Sequence, residues 1–430
     1  MLTAGSSTET DWSFLQKLIF RLSFIFFGLY IIPFPVNYIP IFNSWLDWIH
    51  GSWTWLVPQT GKYILRLPYE VTVTPNGSGD STWNYVQVFL ILSSAILGTL
   101  IWTLLDRRRN NYQRLLYWFT VAVRYYLAFN LIAYGSYKVF KSQFPAPNIY
   151  RLTETYGQSS PMGLAWTFLG YSKGFNYFMG FAEIIGGLLL LFRKTKTLGA
   201  LFCMTVTANI VAINFCFDVP VKIFSSMLFL MAVFITAPDI YRLFLFFILN
   251  RDSRLKSYGP SIKFGKWKFP LIATKMAFII YMLYTYTNDA ISVRAQYGDD
   301  APKPKLYGNY QVETYYKYRD IIPPLVTDKI RWNRIIFSEF NRGSVQMMDD
   351  TLQAYTYYDD PDQSEIKLLD RFSNQLKYSF TYQVVDKDHI EMKSKDPDGS
   401  IYMKLVRLDP GEFPLMKRGF HWINEYPLNR

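Results

Sequence analysis

Glu183 stands inside an apolar run, FAEIIGGLLLLF (181–192). A carboxylate at membrane depth is expensive, so it must face the protein interior or a wet cavity. There it either locks two helices together or takes part in chemistry. Upstream, VAVRYYLAFNLIAYGSYKVF (121–140) supplies Arg124, Asn130, Tyr134 and Lys138. Arg124 and Lys138 are 14 positions apart, close to four helical turns, so they point the same way. Downstream, TLGALFCMTVTANIVAINFCFDVPVK (197–222) carries Asn209 and Asn214, then Asp218 and Lys222. Thr205, Asn209 and Cys216 share one face of that helix by spacing. These patterns predict an ion pair between Arg124 and Glu183 at similar depth. They also predict a polar ring of Lys138, Asp218 and Lys222 at one mouth, although ordinary interfacial snorkelling is the favoured account of Lys222. Gly186 and Gly187 follow Glu183 by one turn and would let a neighbouring helix approach closely.

The elements that must hold these residues are membrane spans, each needing roughly 20 apolar residues. The sequence predicts seven, at about 18–33, 84–105, 116–137, 176–192, 197–214, 222–237 and 269–288. The first runs into Pro33 and Pro35 without a small-residue cleavage site, and reads as a retained helix. Residues 34–83 are rich in Trp, Tyr and Pro, an interfacial composition. Within them YEVTVT (69–74) alternates like a strand and PNGSGD (75–80) is turn chemistry. Asn76 heads a glycosylation-type triplet that the turn explains equally well. YRLFLFFILNRDSRLK (241–256) reads as a segment lying along the membrane face.

Charge is divided along the chain. Residues 1–299 hold 26 of the 45 Lys and Arg but only 13 of the 33 Asp and Glu, so the net charge of +12 belongs to the membrane half. It reflects topology and not a nucleic-acid surface. The loops at 106–114, 193–196 and 239–268 contain 4, 3 and 7 basic residues, against 2, 4 and 1 in the loops at 34–83, 138–175 and 214–222, which are longer in total. The positive-inside rule therefore places the N-terminus in the cytoplasm and the C-terminal part outside it.

The tail is a different kind of protein. GNYQVETYY, IRWNRIIF, SVQMMD, LQAYTYY, EIKLLD, LKYSFTYQVV, HIEMKS and IYMKLVRL alternate and are separated by turn signals. Eight such runs predict an antiparallel barrel or sandwich. The expected organisation is a polytopic α-helical membrane domain over 1–289 and an all-β domain over 300–430. Tyr side chains from the strands would either line a ligand cavity or simply pack.

Soluble redox or metal chemistry has little to work with. His50, His389 and His421 are scattered, in no ligand spacing. Cys203 and Cys216 would lie about 20 Å apart on one helix, too far for a mutual disulfide. The sequence has no C-x-x-C, phosphate loop, dinucleotide fingerprint or nucleophile elbow.

The order Arg124, AYGSYKVF with Lys138, FAEIIGGLLLLF with Glu183, a basic turn and a polar-ended helix resembles the DoxX family. The resemblance covers about residues 115–237, a four-helix unit. It implies kinship with a membrane subunit of thiosulfate:quinone oxidoreductase, and more distantly with methylamine-utilisation membrane proteins, surfeit-locus cargo receptors and the HTTM carboxylase domain. The tail, with GNYQVE opening a run of strands, is similar to lipocalin-like domains of envelope proteins. Two functions are thereby expected for a multi-pass protein of the bacterial inner membrane. One is a binding, assembly or accessory module whose extracytoplasmic β domain engages a lipid, lipoprotein or partner protein. The other is a subunit of a quinone-linked oxidoreductase, with a quinone near Glu183.

The orientation is tested by cysteine labelling. Ser253→Cys is expected to react with an impermeant maleimide only after the membrane is permeabilised, and Ser400→Cys without permeabilisation. Reaction of both from one side would remove the seven-span topology.

Overall fold

Spans with apolar side chains all round leave the ends of each helix as the places where polar groups must be settled. The computed structural model of the chain describes residues 11–36, 42–73, 77–253, 268–395 and 401–428. Helix α1 (Phe14–Ile31) opens on a capping box, in which Gln16 N–H donates to Ser13 Oγ and Ser13 N–H donates to Gln16 Oε1. A second amphipathic helix, α2 (Asn43–Gln59), continues into a π-helical turn over Thr60–Ile64. Helices α3 (Thr82–Leu105) and α4 (Gln113–Val139) follow. After two short helices, α5 (Ile149–Thr153) and α6 (Pro161–Tyr171), come α7 (Lys173–Leu191), α8 (Lys196–Cys216) and α9 (Lys222–Thr236). A 3-10 turn at Ala237–Asp239 joins α9 to α10 (Ile240–Phe247), and α11 (Lys268–Tyr297) completes the helical part.

Seven of these runs are long and apolar enough to cross a membrane, the sixth being α9 and α10 taken together as Lys222–Phe247. The chain is thus a helical membrane region followed by a β barrel. Two expectations need correction. The interfacial stretch 34–83 contains α2, which its crowded aromatic residues had hidden. Tyr69–Val73 form no strand, because an isolated extended run has no partner edge in an all-helical surrounding. Thr74, Pro75 and Asn76 lie outside the described residues, as does 254–256 at the end of the expected membrane-face segment.

The chain divides into two compact units, one of residues 1–139 with 177–290, the other of residues 140–176 with 291–430. In the first, the pair α4 and α7 is packed backbone to backbone. A Cβ on Gly135 would sit 2.6 Å from the Gly180 carbonyl oxygen, and one on Gly187 would sit 2.7 Å from that of Ala128. Elsewhere in this unit, buried Arg21 of α1 donates to Thr103 Oγ1 at 2.8 Å, to the Asp106 carbonyl at 2.8 Å and to the Tyr112 hydroxyl at 2.6 Å. Tyr112 in turn donates to Asp106 at 2.9 Å. This network pins α1 to α3 and to the start of α4. Asp80 caps α9 by accepting from the Lys222 and Ile223 N–H groups at 2.7 and 3.0 Å.

The second unit is organised around the barrel. Its strands are β1 (Gly308–Lys317), β2 (Asp320–Ile321), β3 (Trp332–Phe337), β4 (Arg342–Met347), β5 (Leu352–Asp360), β6 (Glu365–Asp370), β7 (Leu376–Val384), β8 (His389–Ser394) and β9 (Ile401–Leu408). The order β1-β3-β4-β5-β6-β7-β8-β9 closes through β1–β9 pairing, and β2 is a two-residue flap on β1. All eight predicted runs are barrel strands. Closure leaves no sheet edge exposed.

The barrel interior is filled by large side chains, Tyr315, Phe337, Tyr357, Ile366, Phe380 and Met403 among them, each at most 1% exposed. In β1 the inward alternation passes from Tyr310 and Val312 to Tyr315, because a bulge between Val312 and Thr314 shifts the register by one residue. Arg331, 2% exposed, donates to the Val312 and Ile322 carbonyls at 3.0 and 2.8 Å beside this interior.

Residues 140–176 are built onto the same unit. Asp299 accepts from the Ala146 N–H at 2.7 Å and pairs with Lys141 at 3.3 Å. Gly170 approaches the Pro145 carbonyl so closely that a Cβ there would lie 2.1 Å away. Asn176 donates to the Leu169 and Ser172 carbonyls at 2.7 and 3.0 Å, tying the end of α6 to the start of α7.

Gly135→Ala is expected to lower thermal stability in detergent by about 1–3 kcal/mol, the usual range for overpacking a close contact. Gly51→Ala in α2, where a Cβ meets nothing within 4 Å, is expected to be neutral or stabilising by roughly 0.5–1 kcal/mol. Equal effects at the two positions in a thermal-unfolding assay would remove the α4–α7 contact as a determinant of stability.

Candidate functional site

The antiparallel register of α4 and α7 decides which polar residues meet. Gly135 faces Gly180 and Ala128 faces Gly187. The same register puts Glu183 level with Ile132 and Arg124 level with Leu191, the last residue of α7. Eight residues of helix separate Ile132 from Arg124, about 12 Å along the axis. The expected Arg124–Glu183 pair is therefore not formed. The partner of Glu183 is Lys138, whose long side chain runs back along α4. Its ammonium is 2.8 Å from Oε1 and 2.9 Å from Oε2 of Glu183. Lys138 and Glu183 are 6% and 2% exposed. Tyr134 covers the pair, with its ring centroid 5.7 Å from the Lys138 ammonium. One turn away, the Tyr137 hydroxyl donates to Asp289 of α11.

The remaining predicted residues separate into groups. Asn214 is buried and donates to the Val221 carbonyl at 3.4 Å across the α8–α9 turn. Asp218 adopts a left-handed φ of 50° in that turn and pairs with Lys222 at 2.8 Å. The two belong to a cluster completed by Asp80, which periodicity did not single out because its role is a cap on a distant helix. Asn130 donates to the Tyr126 carbonyl of its own helix at 2.8 Å. Asn209 lies on the exposed face of α8, as does Thr205. Of the predicted set, Tyr134, Lys138 and Glu183 come together, Asn214 and Asp218 form a second cluster, and Arg124, Asn130 and Asn209 stand apart from both.

A different feature has the dimensions of a binding site. In the second unit a cleft of about 800 Å³ opens between residues 145–152 and the barrel rim. Its rim is the β3–β4 turn, Ser338–Arg342, with Arg371 following β6. The charges lining it are not balanced. Arg151 is paired with Glu154 at 2.5 Å, and Asp299 is held by Lys141. Glu339 accepts from Ser338 Oγ at 2.7 Å and also bonds Tyr307. Burial, with the Glu339 carboxylate beside it, holds the Tyr307 phenol above its ordinary range, so it stays a neutral donor. The Lys303 ammonium sits 4.9 Å from the centroid of the Tyr307 ring. Arg342 and Arg371 have no side-chain hydrogen bond or ion pair among the described residues. Tyr150, Tyr297 and Phe340 supply apolar surface beside these cations. The arrangement suits a ligand with an anionic group and an apolar part.

No periodicity marks this cleft. Its two walls are about 190 residues apart in sequence, and Arg342 opens β4 while Arg371 follows β6, positions that read as ordinary solvated surface. Among the described residues no cluster of three or more His, Cys, Asp or Glu is placed to hold a metal ion.

Comparison with known proteins finds a curated relative in the uncharacterized protein YwoB of Bacillus subtilis (strain 168). It is 40% identical over 118 residues, which is 27% of this chain and 73% of the relative. The match lies in the N-terminal part of the chain. No family model matches, and no solved structure matches.

The buried pair is tested by a double-mutant cycle in detergent-solubilised protein. Glu183→Gln or Lys138→Met alone strands one charge and is expected to cost about 3–5 kcal/mol of stability. The double change is expected to cost clearly less than the two singles together. Additive losses would show that the residues are not energetically coupled.

Proposed function

We propose, for a chain that belongs to the same family as YwoB of Bacillus subtilis, that it is an integral membrane binding and assembly module of the cell envelope. Seven spans hold it in the bilayer, and the barrel unit captures a lipid, lipoprotein or partner protein. One observation carries this reading: the 800 Å³ cleft with two arginines that have no side-chain partner among the described residues, beside aromatic surface. The ligand is accordingly held at the barrel rim, since the interior is occupied by the protein's own side chains.

The charge asymmetry of the loops supports an inner-membrane orientation with the barrel unit outside the cytoplasm. The DoxX-like reading of α4 to α9 and the lipocalin-like reading of the barrel belong to the same proposal. The order of the spans and the meander of eight closed strands support them. The geometry around Glu183 favours a tie between helices over a quinone-linked proton relay. Both carboxylate oxygens already face one ammonium, so a quinone or a proton carrier would have to displace Lys138 to reach them.

The test is photo-crosslinking of the full chain in cells. A photoreactive residue at Phe340, 53% exposed in the cleft, is expected to give a lipid or protein adduct; one at Val326, 74% exposed and outside the cleft lining, is not. Charge reversal by Arg342→Glu with Arg371→Glu is expected to reduce the Phe340 adduct several-fold. Equal adducts at both positions, or a Phe340 adduct indifferent to the reversals, would overturn the cleft as the binding site.

A further inference from the structure

Arg124 has lost the partner its sequence suggested, and among the described residues no other carboxylate pairs with it. The residue is 7% exposed, and its Nε lacks a hydrogen-bond partner. Among the described residues neither Arg124 nor Lys275 of α11 takes part in an ion pair. The two cations share one aromatic ring. The Arg124 guanidinium carbon is 5.5 Å from the Tyr125 ring centroid and the Lys275 ammonium is 5.7 Å from it. Lys275 also lies 5.2 Å from the Phe192 centroid and donates to the Leu191 carbonyl at 2.8 Å. Arg193, in the basic turn after α7, stacks 5.5 Å from the Tyr117 centroid on α4. Three basic side chains from α4, α11 and the α7–α8 turn therefore gather around Tyr117, Tyr125 and Phe192.

Depth identifies what such a cluster meets. Helix α7 has 19 residues, about 28 Å at 1.5 Å per residue, close to the roughly 30 Å thickness of the hydrocarbon layer. Its last residue, Leu191, therefore reaches the interface, and the register with α4 puts Arg124 at the same level. A cluster of cations at this level, walled by aromatic rings, faces lipid headgroups. A buried guanidinium without a counter-charge is costly unless an anion completes it. Arg and Lys together suit a phosphate, the first by its planar fork and the second as a point charge.

We infer that Arg124, Lys275 and Arg193 form a binding site for the phosphate group of an anionic phospholipid, held at the level where α7 ends. The tyrosine rings position the cations, Lys275 keeps donors to spare beyond its bond to Leu191, and the Arg124 Nε supplies a further one. A basic pocket between spanning helices is a recognised kind of headgroup site. The bland alternative is non-selective attraction of surface cations to any anionic bilayer. It differs in one respect: a built site retains its lipid after the bulk membrane is diluted away.

The test uses the full chain, reconstituted in vesicles of phosphatidylglycerol and phosphatidylcholine at equal content and then extracted into detergent. The lipid that stays bound is quantified. The wild type is expected to retain phosphatidylglycerol in excess over phosphatidylcholine. Arg124→Gln and Lys275→Gln are each expected to lower that excess roughly fivefold, the equivalent of about 1 kcal/mol per basic residue at an anionic surface. Arg124→Lys is expected to keep much of it. Lys275 is only half-buried, so its variant answers the question even where Arg124→Gln folds poorly. No excess in the wild type, or the same excess in Lys275→Gln, would overturn the site. A second arm measures thermal stability with inorganic phosphate in phosphatidylcholine alone. Stabilisation matching that by phosphatidylglycerol would assign the site to free phosphate and overturn the lipid.

Discussion

The helical unit depends on the contact between α4 and α7. Gly135, Gly180 and Gly187 let two backbones touch, and that closeness fixes one register between the helices. In a bilayer the contact cannot draw on water exclusion for its strength, because lipid is as apolar as the side chains. Close packing and polar ties take that role. Once the register is set, Glu183 has a single cation in reach, and Lys138 closes the interface from the other side. Four residues of α4 away from it, Tyr134 shields the pair. The same register carries Arg124 to the end of α7, where a cation is far cheaper than in mid-membrane.

The barrel obeys a different constraint. Eight strands enclose a space that side chains can just fill, and here Tyr, Phe and Met fill it. A barrel packed this way has no lumen to offer, so recognition moves to its rim. Residues 140–176 convert the rim into a cleft. They are anchored by Asp299, which bonds the Ala146 amide and pairs with Lys141. A loop that reads as a mere connection between spans thus becomes one wall of the candidate site.

Charge in this protein divides, among the described residues, into groups tied off within the fold and groups without a partner. Glu183 with Lys138, Asp239 with Lys196 and Thr197, and Arg21 with Asp106 and Tyr112 are tied off within the fold. Arg342 and Arg371 at the cleft, and Arg124 beside Lys275, are not. The satisfied groups hold helices in place. The others are where an anion from outside the chain has something to gain.

Span number and strand number were legible in the sequence because each depends on local periodicity. Twenty apolar residues make a helix across a membrane whatever surrounds them, and eight alternating runs make eight strands wherever they pair. The identity of the intramembrane polar residues was legible for the same reason, since each stands out against its apolar neighbours. Their partners were not. Arg124 and Lys138 project from the same face of α4, and the choice between them for Glu183 turned on glycine contacts that set the register and leave Arg124 about 12 Å of helix away. The β1 bulge, the cap that Asp80 gives α9 and the cleft wall from residues 145–152 were equally hidden. Each joins residues far apart in the chain. Local pattern decides what an element is; only packing in three dimensions decides which of its charges are left without a partner.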